Sequence, residues 1–155
     1  MVGMATISAV FTSPGRNTAQ SVPHERRRAI PGEGLEGCAH ANPPKREVLF
    51  VSADHLRSVG VEPGAIRENL TVEGLDVQDW PIGQRVRVGG EAVFEVTMVC
   101  DPCARMDALR RGLRAELEGR RGMLARVVEP GEVAVGDEVE LLEVVQPEAS
   151  ETATA

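Results

Sequence analysis

Tyrosine is absent from the 155 residues, and only three phenylalanines and one tryptophan are present. Any core must therefore rest on Val, Leu, Ile and Ala. No apolar run approaches the roughly 20 residues that a membrane-spanning helix requires. The opening residues, MVGMATISAV, lack the basic stretch and the long apolar segment of an export signal. A positive surface is wanting too. The net charge is −7, which argues against broad contact with nucleic acid or anionic membrane. These absences lead to the expectation of a cytoplasmic protein that engages neither. Cysteine is scarce and odd in number: Cys38, Cys100 and Cys103. Without an export signal, that count points to thiol chemistry or metal ligation rather than a disulfide framework.

What is present suits a soluble globular chain, with 42% hydrophobic and 26% charged residues. The length fits one domain with one core, expected over 1–145, with a disordered tail over 146–155. Alternation predicts strands at Ala5 to Thr12, Gln84 to Val88 and Glu91 to Val99, and further short runs between turn residues read as strands at Glu47 to Val51, Arg67 to Val72, Met123 to Val128 and Glu138 to Val145. Gly89-Gly90 suits a tight hairpin turn. Ser52 is placed to cap a helix over Ala53 to Val59, with Gly60 after it. Ala104 to Glu118 carries Met106, Leu109, Leu113 and Leu117 at helical spacing, so one face is apolar, and Leu109, Leu113 and Leu117 are expected in the core. The Gly- and Pro-rich stretch Ala29 to Pro44 and the segment Pro130 to Asp137 read as loops, and Arg26-Arg27-Arg28 as a solvated strand or loop face. His24 and His55, among polar neighbours, are expected at the surface. About seven short strands with one or two helices predict a mainly β, barrel-like fold.

Chemistry concentrates in Val96 to Asp107. Pro102 belongs at a strand exit or a helix start. Cys103 therefore falls beside a helix N-terminus, a setting that favours thiolate and so a nucleophile or metal ligand. The alternative is an inert buried thiol. Cys100-Asp101-Pro102-Cys103 is also a CxxC, although no βαβ pattern surrounds it. Cys38 and His40 share the Gly/Pro loop, where His40 is placed to act as acid, base or ligand. With Cys100 and Cys103 they make the ligand count of a tetrahedral zinc site.

A series of motifs runs in order along the chain: Gly34-Leu35-Glu36-Gly37-Cys38-Ala39-His40, Arg46-Glu47-Val48, Pro63-Gly64 with Arg67-Glu68-Asn69-Leu70, Gly83-Gln84-Arg85-Val86-Arg87-Val88-Gly89, Pro102-Cys103, Gly122 with Ala125-Arg126-Val127, and Gly136-Asp137. The series resembles the molybdenum cofactor sulfurase C-terminal domain, the MOSC domain, over Ile7 to Leu142. The resemblance implies a MOSC-type β-barrel with a few short helices. It also implies a protein that binds the molybdenum cofactor (molybdopterin), or that carries activated sulfur as a persulfide on Cys103. Its work would be sulfur transfer or the reduction of N-hydroxylated substrates, as a carrier or an oxidoreductase-type enzyme.

Under this resemblance Cys103 is the molybdenum ligand, and Arg46, Arg67, Glu68 and Asn69 fall in the family's motifs. Guanidinium forks and an amide suit a phosphate-bearing pterin. The structural alternatives are an ion pair for Arg67-Glu68 and a turn cap for Asn69. One departure stands out. The family usually has Gly-Asp before its histidine, and this chain has Gly37-Cys38. Catalytic candidates are thus Cys103, His40, Cys38 and Cys100, with a persulfide on Cys103 resolved by Cys100 or Cys38. The zinc-thiolate module of Cys38, His40, Cys100 and Cys103, without molybdenum cofactor, is the competing reading. No flavin, nicotinamide or ATP motif is present. An outside partner is therefore implied, either a sulfur donor of the cysteine desulfurase type or an external electron donor. A small molecule would be the substrate, and a homodimer is a further candidate assembly.

Overall fold

The computed structural model describes residues 5–14, 21–39 and 46–146. Its main body is an eight-stranded sheet in the order β11-β7-β8-β9-β5-β6-β1-β2, beside a three-stranded sheet in the order β10-β3-β4. The large sheet comprises β1 (Thr6–Thr12), β2 (Val22–His24), β5 (Val48–Ser52), β6 (Leu70–Glu73), β7 (Gln84–Val88), β8 (Ala92–Val99), β9 (Met123–Glu129) and β11 (Val139–Val144). The small sheet holds β3 (Arg26–Ile30), β4 (Gly34–Leu35) and β10 (Gly131–Ala134). Helices are few and short: α1 (Ala53–Ser58), α2 (Ala104–Leu109) and α3 (Leu113–Glu116), with a 3-10 turn at Val77–Asp79.

The large sheet curls because its two ends meet. Thr6 bridges Glu138. Ile7 N–H donates to the Asp137 carbonyl and Gly136 N–H to the Ile7 carbonyl, at 2.9 and 2.7 Å. The chain entering β11 at one edge is thereby tied to β1 near the other, which gives the barrel-like form expected.

Two apolar clusters fill the molecule, one on each face of the central strands. In β5 every residue is buried. Val48 and Phe50 enter the inner cluster, while Leu49 and Val51 enter the outer one. This is strand period two with both faces covered, and it explains an unbroken apolar run where alternation with polar residues would signal a half-exposed strand. Phe50 sits at the inner centre, edge-on to Trp80 and Phe94 with ring centroids 5.4 and 5.2 Å away. Few aromatics are needed because these three converge. The outer cluster joins Leu49, Val51 and Leu124 to Leu56, Met106, Leu113 and Leu117, so it is the glue between the sheet and the helices.

Several expectations change. Eleven strands are present among the described residues, not about seven. Gly131–Ala134, expected as loop, pairs with β3, and the Arg26 cluster and Ala29-Ile30 lie in that strand. A Cβ at Gly131 would come within 2.6 Å of Ala92 N, so glycine here permits close packing against β8 rather than a loop. The helix expected over Ala104 to Glu118 is broken into two by Gly112, whose φ of 87° is left-handed. As a result Leu109 is 51% exposed, whereas Met106, Leu113 and Leu117 stay buried. Ser52 makes no cap bond. Its hydroxyl instead donates to the Leu75 carbonyl and accepts from Val77 N–H. His24 and His55 are half-buried rather than on the surface. His24 hydrogen-bonds Thr12 at 2.8 Å, and His55 lies 3.5 Å from Asp76. The tail beyond Gln146 lies outside the described residues.

Gly122 is the tightest backbone position in the sheet. Its φ is 110°, and a Cβ would stand 2.4 Å from the Phe50 carbonyl oxygen. Gly122→Ala adds left-handed strain to an overpacked contact, so it should cost about 3 kcal/mol and lower the melting temperature by about 10 °C. Thermal melting followed by circular dichroism checks this, and an unchanged midpoint would show that the backbone has room to give.

Candidate functional site around the CxxC turn

The site is built where β8 ends. Val99 pairs with Met123 in the last rung of β8 and β9, and Cys100 N–H then donates to the Gly122 carbonyl at 3.0 Å. Asp101, Pro102 and Cys103 follow in no regular element, and Cys103 is the N-cap of α2. The expected strand–turn–helix is therefore present, with Cys103 exposed and Cys100 buried. α2 is only six residues long. The helix dipole is accordingly a poor source of charge.

Cys100 belongs to the outer apolar cluster and is 5% exposed. Burial pushes its thiol up from the ordinary range. Arg121 and then Arg46 pull the other way, while Cys103 and Asp101 add to the rise. Arg121 is 8% exposed, and neither its Nε nor its Nη1 has a hydrogen-bond partner. Arg46, by contrast, lies exposed at the entrance to β5.

Cys38 occupies a second position, apart from the CxxC. Its half-buried sulfur accepts from Ser13 N–H and from the Asn69 amide, both at 3.4 Å. No disulfide joins any of the three cysteines. Arg67 links the two regions. Burial lowers its pKa, the Arg105 guanidinium lowers it further, and the Cys38 sulfur acts in the opposite direction. Arg67 has φ 66°, the one non-glycine residue with positive φ among the described residues. A guanidinium within electrostatic reach of a second guanidinium and a thiol is a favourable setting for an anionic group.

The RENL segment serves two purposes. Asn69 adopts the structural alternative. Its Oδ1 accepts from Leu49 N–H at 2.9 Å, and its Nδ2 donates to the Phe11 carbonyl at 3.0 Å. The same residue's backbone bonds Leu49 and Phe11, so Asn69 stitches β5 to β1 at the entry of β6. Glu68 is fully buried. Its Oε2 accepts from Gly64 N–H at 2.6 Å and from the Thr71 hydroxyl at 3.3 Å, and its Oε1 has no partner. Burial raises its pKa, opposed by these hydrogen bonds and by the charge of Arg121. The Arg67–Glu68 ion pair offered as the structural alternative is not among the ion pairs of the described residues. The charge that Glu68 feels is that of Arg121.

Among the described residues, no three His, Cys, Asp or Glu side chains form a group able to hold a metal ion. Cys38, Cys100 and Cys103 therefore do not gather into the three thiolates of the expected zinc site. His40, its fourth member, lies outside the described residues. The reason is topological: Cys38 docks on β1 and Asn69, whereas Cys100 is carried by the end of β8. A cavity of about 310 Å³ between Arg85, Arg87, Glu91 and Glu129 lies at the β7–β8 hairpin end, opposite the CxxC turn, and carries charges of both signs.

The matching family model is the MOSC domain, over residues 39–140. The chain belongs to the MOSC domain family. An uncharacterized relative from Bacillus subtilis, YflK, is 31% identical over 127 residues, which is 75% of this chain and 57% of that protein. The chain thus spans little more than half of that relative's length. The fold is similar to that of YuaD from Bacillus subtilis, with a TM-score of 0.74 at 18% identity, covering 89% of this chain and 96% of that one. It is also similar to YiiM from Escherichia coli, with a TM-score of 0.69 at 22% identity, covering 91% and 71%. The MOSC fold read from the motif series is therefore present. No helix among the described residues is long and apolar enough to cross a membrane.

Two residues around the CxxC turn escaped the sequence reading, Arg105 and Arg121. Arg105 could have been found from its position in the first turn after Cys103. Arg121 looked like one more solvated arginine in Arg120-Arg121, and nothing in the sequence marks its burial.

Glu68 supplies a pH test. Because its folded pKa is raised, its protonated form contributes stability that is fully present below the ordinary value of 4.5 and lost as pH rises through the folded value. Denaturant unfolding should show the wild type losing stability relative to Glu68→Gln as pH climbs from 4 towards neutrality. Parallel profiles would mean the carboxyl is not desolvated.

Proposed function

We propose that Cys103 is the working sulfur of this MOSC domain, either binding the molybdenum of the molybdenum cofactor or carrying activated sulfur as a persulfide. One observation carries the reading: Cys103 is exposed while Cys100 is buried and Cys38 is half-buried under two hydrogen bonds. Both roles require an accessible sulfur. The donor set fits the cofactor, since a thiolate suits molybdenum and guanidinium groups suit a phosphate-bearing pterin. Cys103 would hold the metal, and Arg67 and Arg105 would hold anionic groups beside it. Arg46 would attract the same anion from the rim. When bound, the cofactor would supply the electron transfer for reducing N-hydroxylated compounds.

Glu68 and Asn69 act beneath this surface, fixing the backbone from which Arg67 projects. His40, outside the described residues, is proposed as the proton shuttle. A sulfur donor of the cysteine desulfurase type, or an external electron donor, completes the cycle, because the chain has no flavin or nicotinamide motif. The persulfide role has its own support in the second thiol, Cys100, three residues from Cys103 and within its electrostatic reach.

Metal analysis, pterin fluorescence and intact mass before and after reductant test the proposal on purified protein. The wild type should carry molybdenum with pterin, or an added sulfur that reductant removes. Cys103→Ser should lose it, and Cys38→Ser should retain it. A wild type with neither, or a Cys103→Ser protein loaded as well as the wild type, would refute the reading.

A further inference from the structure

Arg121 is a costly residue to bury. A guanidinium out of water without acceptors is strongly disfavoured, and such groups in native structures generally have a partner. Arg121 is 8% exposed and has no partner at Nε or Nη1. Glu68 feels its charge, but the two form no ion pair, and Glu68 Oε1 is unpartnered as well. The other group beside Arg121 is the Cys100 thiol. The backbone fixes this proximity: Cys100 N–H is bonded to the carbonyl of Gly122, the residue that follows Arg121. Gly122 is closely packed there, since a Cβ on it would stand 2.4 Å from the Phe50 carbonyl oxygen. The other charged or titratable groups acting on Cys100 are Arg46, Cys103 and Asp101.

We propose that Cys100, Cys103 and Arg121 form a dithiol reaction centre in which Cys100 displaces the sulfur carried on Cys103, with Arg121 holding the charge of the attacking sulfur. This rests on the persulfide reading of Cys103 and names its release step. Cys103 first takes a sulfane sulfur from a persulfide or polysulfide donor. Cys100 then loses its proton, and its thiolate attacks the Cys103 sulfur. The Cys100–Cys103 bond forms, the bond to the outer sulfur breaks, and hydrosulfide leaves and takes up a proton. A cellular dithiol or glutathione-type thiol supplies two electrons and two protons to reopen the disulfide.

The local structure permits the closure. Asp101 and Pro102 belong to neither strand nor helix, so the turn can tighten without unwinding β8 or α2. Burial alone would hold Cys100 as an inert thiol. The fixed positive charge of Arg121 opposes that rise and favours the thiolate at the moment of attack, as cationic neighbours do for reactive cysteines generally. Arg121 acts through Cys100 and is a positioning residue.

Sodium tetrasulfide is the probe, with intact mass, peptide mapping and hydrogen sulfide release as readouts. In the wild type, Cys103 should gain one sulfur atom. That species should then convert, with sulfide release, to one lacking two hydrogens and mapping as a Cys100–Cys103 disulfide. Cys100→Ser should stop at the sulfur adduct. Arg121→Met replaces a buried charge with a side chain of similar volume, a change that buried sites often tolerate. It should slow the conversion about tenfold and move its pH midpoint upward, with Arg121→Lys restoring part of the rate. Sulfur held on Cys103 of the wild type without disulfide formation would overturn the proposal and leave the persulfide reading intact. Absence of any sulfur on Cys103 in Cys100→Ser would overturn both. Equal rates and pH midpoints in the wild type and Arg121→Met would remove Arg121 from the centre.

Discussion

The hydrogen bond from Cys100 N–H to the Gly122 carbonyl is the join on which the site depends. It extends the β8–β9 ladder by one bond past Val99 and Met123, and beyond it β8 ends. Because side chains alternate along a strand, register at this rung decides which cysteine faces the apolar layer and which reaches solvent. With the bond made, Cys100 falls into the outer cluster with Leu49 and Leu124, and the turn carries Cys103 to the surface. Gly122 is required because only a residue without Cβ can approach the Phe50 carbonyl so closely. A register irregularity between Val96 and Met98 prepares the arrangement. Val96 lies in the inner cluster, yet Met98 packs on the outer one, so the strand changes face before it ends.

The two apolar clusters divide the work of the fold. The inner one, centred on Phe50, holds the curled sheet as a rigid support. The outer one joins that sheet to three short helices and contains the buried end of the CxxC turn. Polar residues join the layers rather than lining a pore. Asn69 supplies a ladder rung between strands that are not neighbours, and Glu68 fastens the Gly64 turn from beneath. Arg67 emerges between them in a left-handed conformation, within electrostatic reach of Arg105 and Cys38. The site is thus supported on regular structure, although its chemical groups lie on turns.

Much of this was legible in the sequence wherever one interaction dominates. Alternation and short runs between turn residues located seven of the strands, Gly89-Gly90 marked the hairpin, and Pro102 separated strand from helix. The small sheet was hidden because its strands are short, polar on one side and rich in glycine, which reads as loop until Gly131 is seen packing against Ala92. The break at Gly112 is weakly marked in the sequence, since an isolated glycine inside a helical pattern is only modestly unfavourable. The exposure of Leu109 follows from that break. For the site, the exposed thiol was predictable from local order alone. The commitment of Asn69 to Leu49 and Phe11 and the burial of Arg121 arise from long-range pairing that spacing does not encode.

Family membership fixes the fold, and the geometry narrows what this chain adds to it. The three thiols stand in three environments: one exposed, one half-buried and hydrogen-bonded, and one buried and acted on by a guanidinium whose Nε and Nη1 have no hydrogen-bond partner. Chemistry assigned to Cys103 therefore has a physical basis in access, and chemistry assigned to Cys100 has one in charge. The most direct test is timed alkylation of the folded protein with iodoacetamide, followed by peptide mapping. The account predicts that Cys103 is modified first, Cys38 slowly, and Cys100 only after unfolding. Modification of Cys38 or Cys100 ahead of Cys103, or a Cys103 that stays untouched in folded protein, would contradict it.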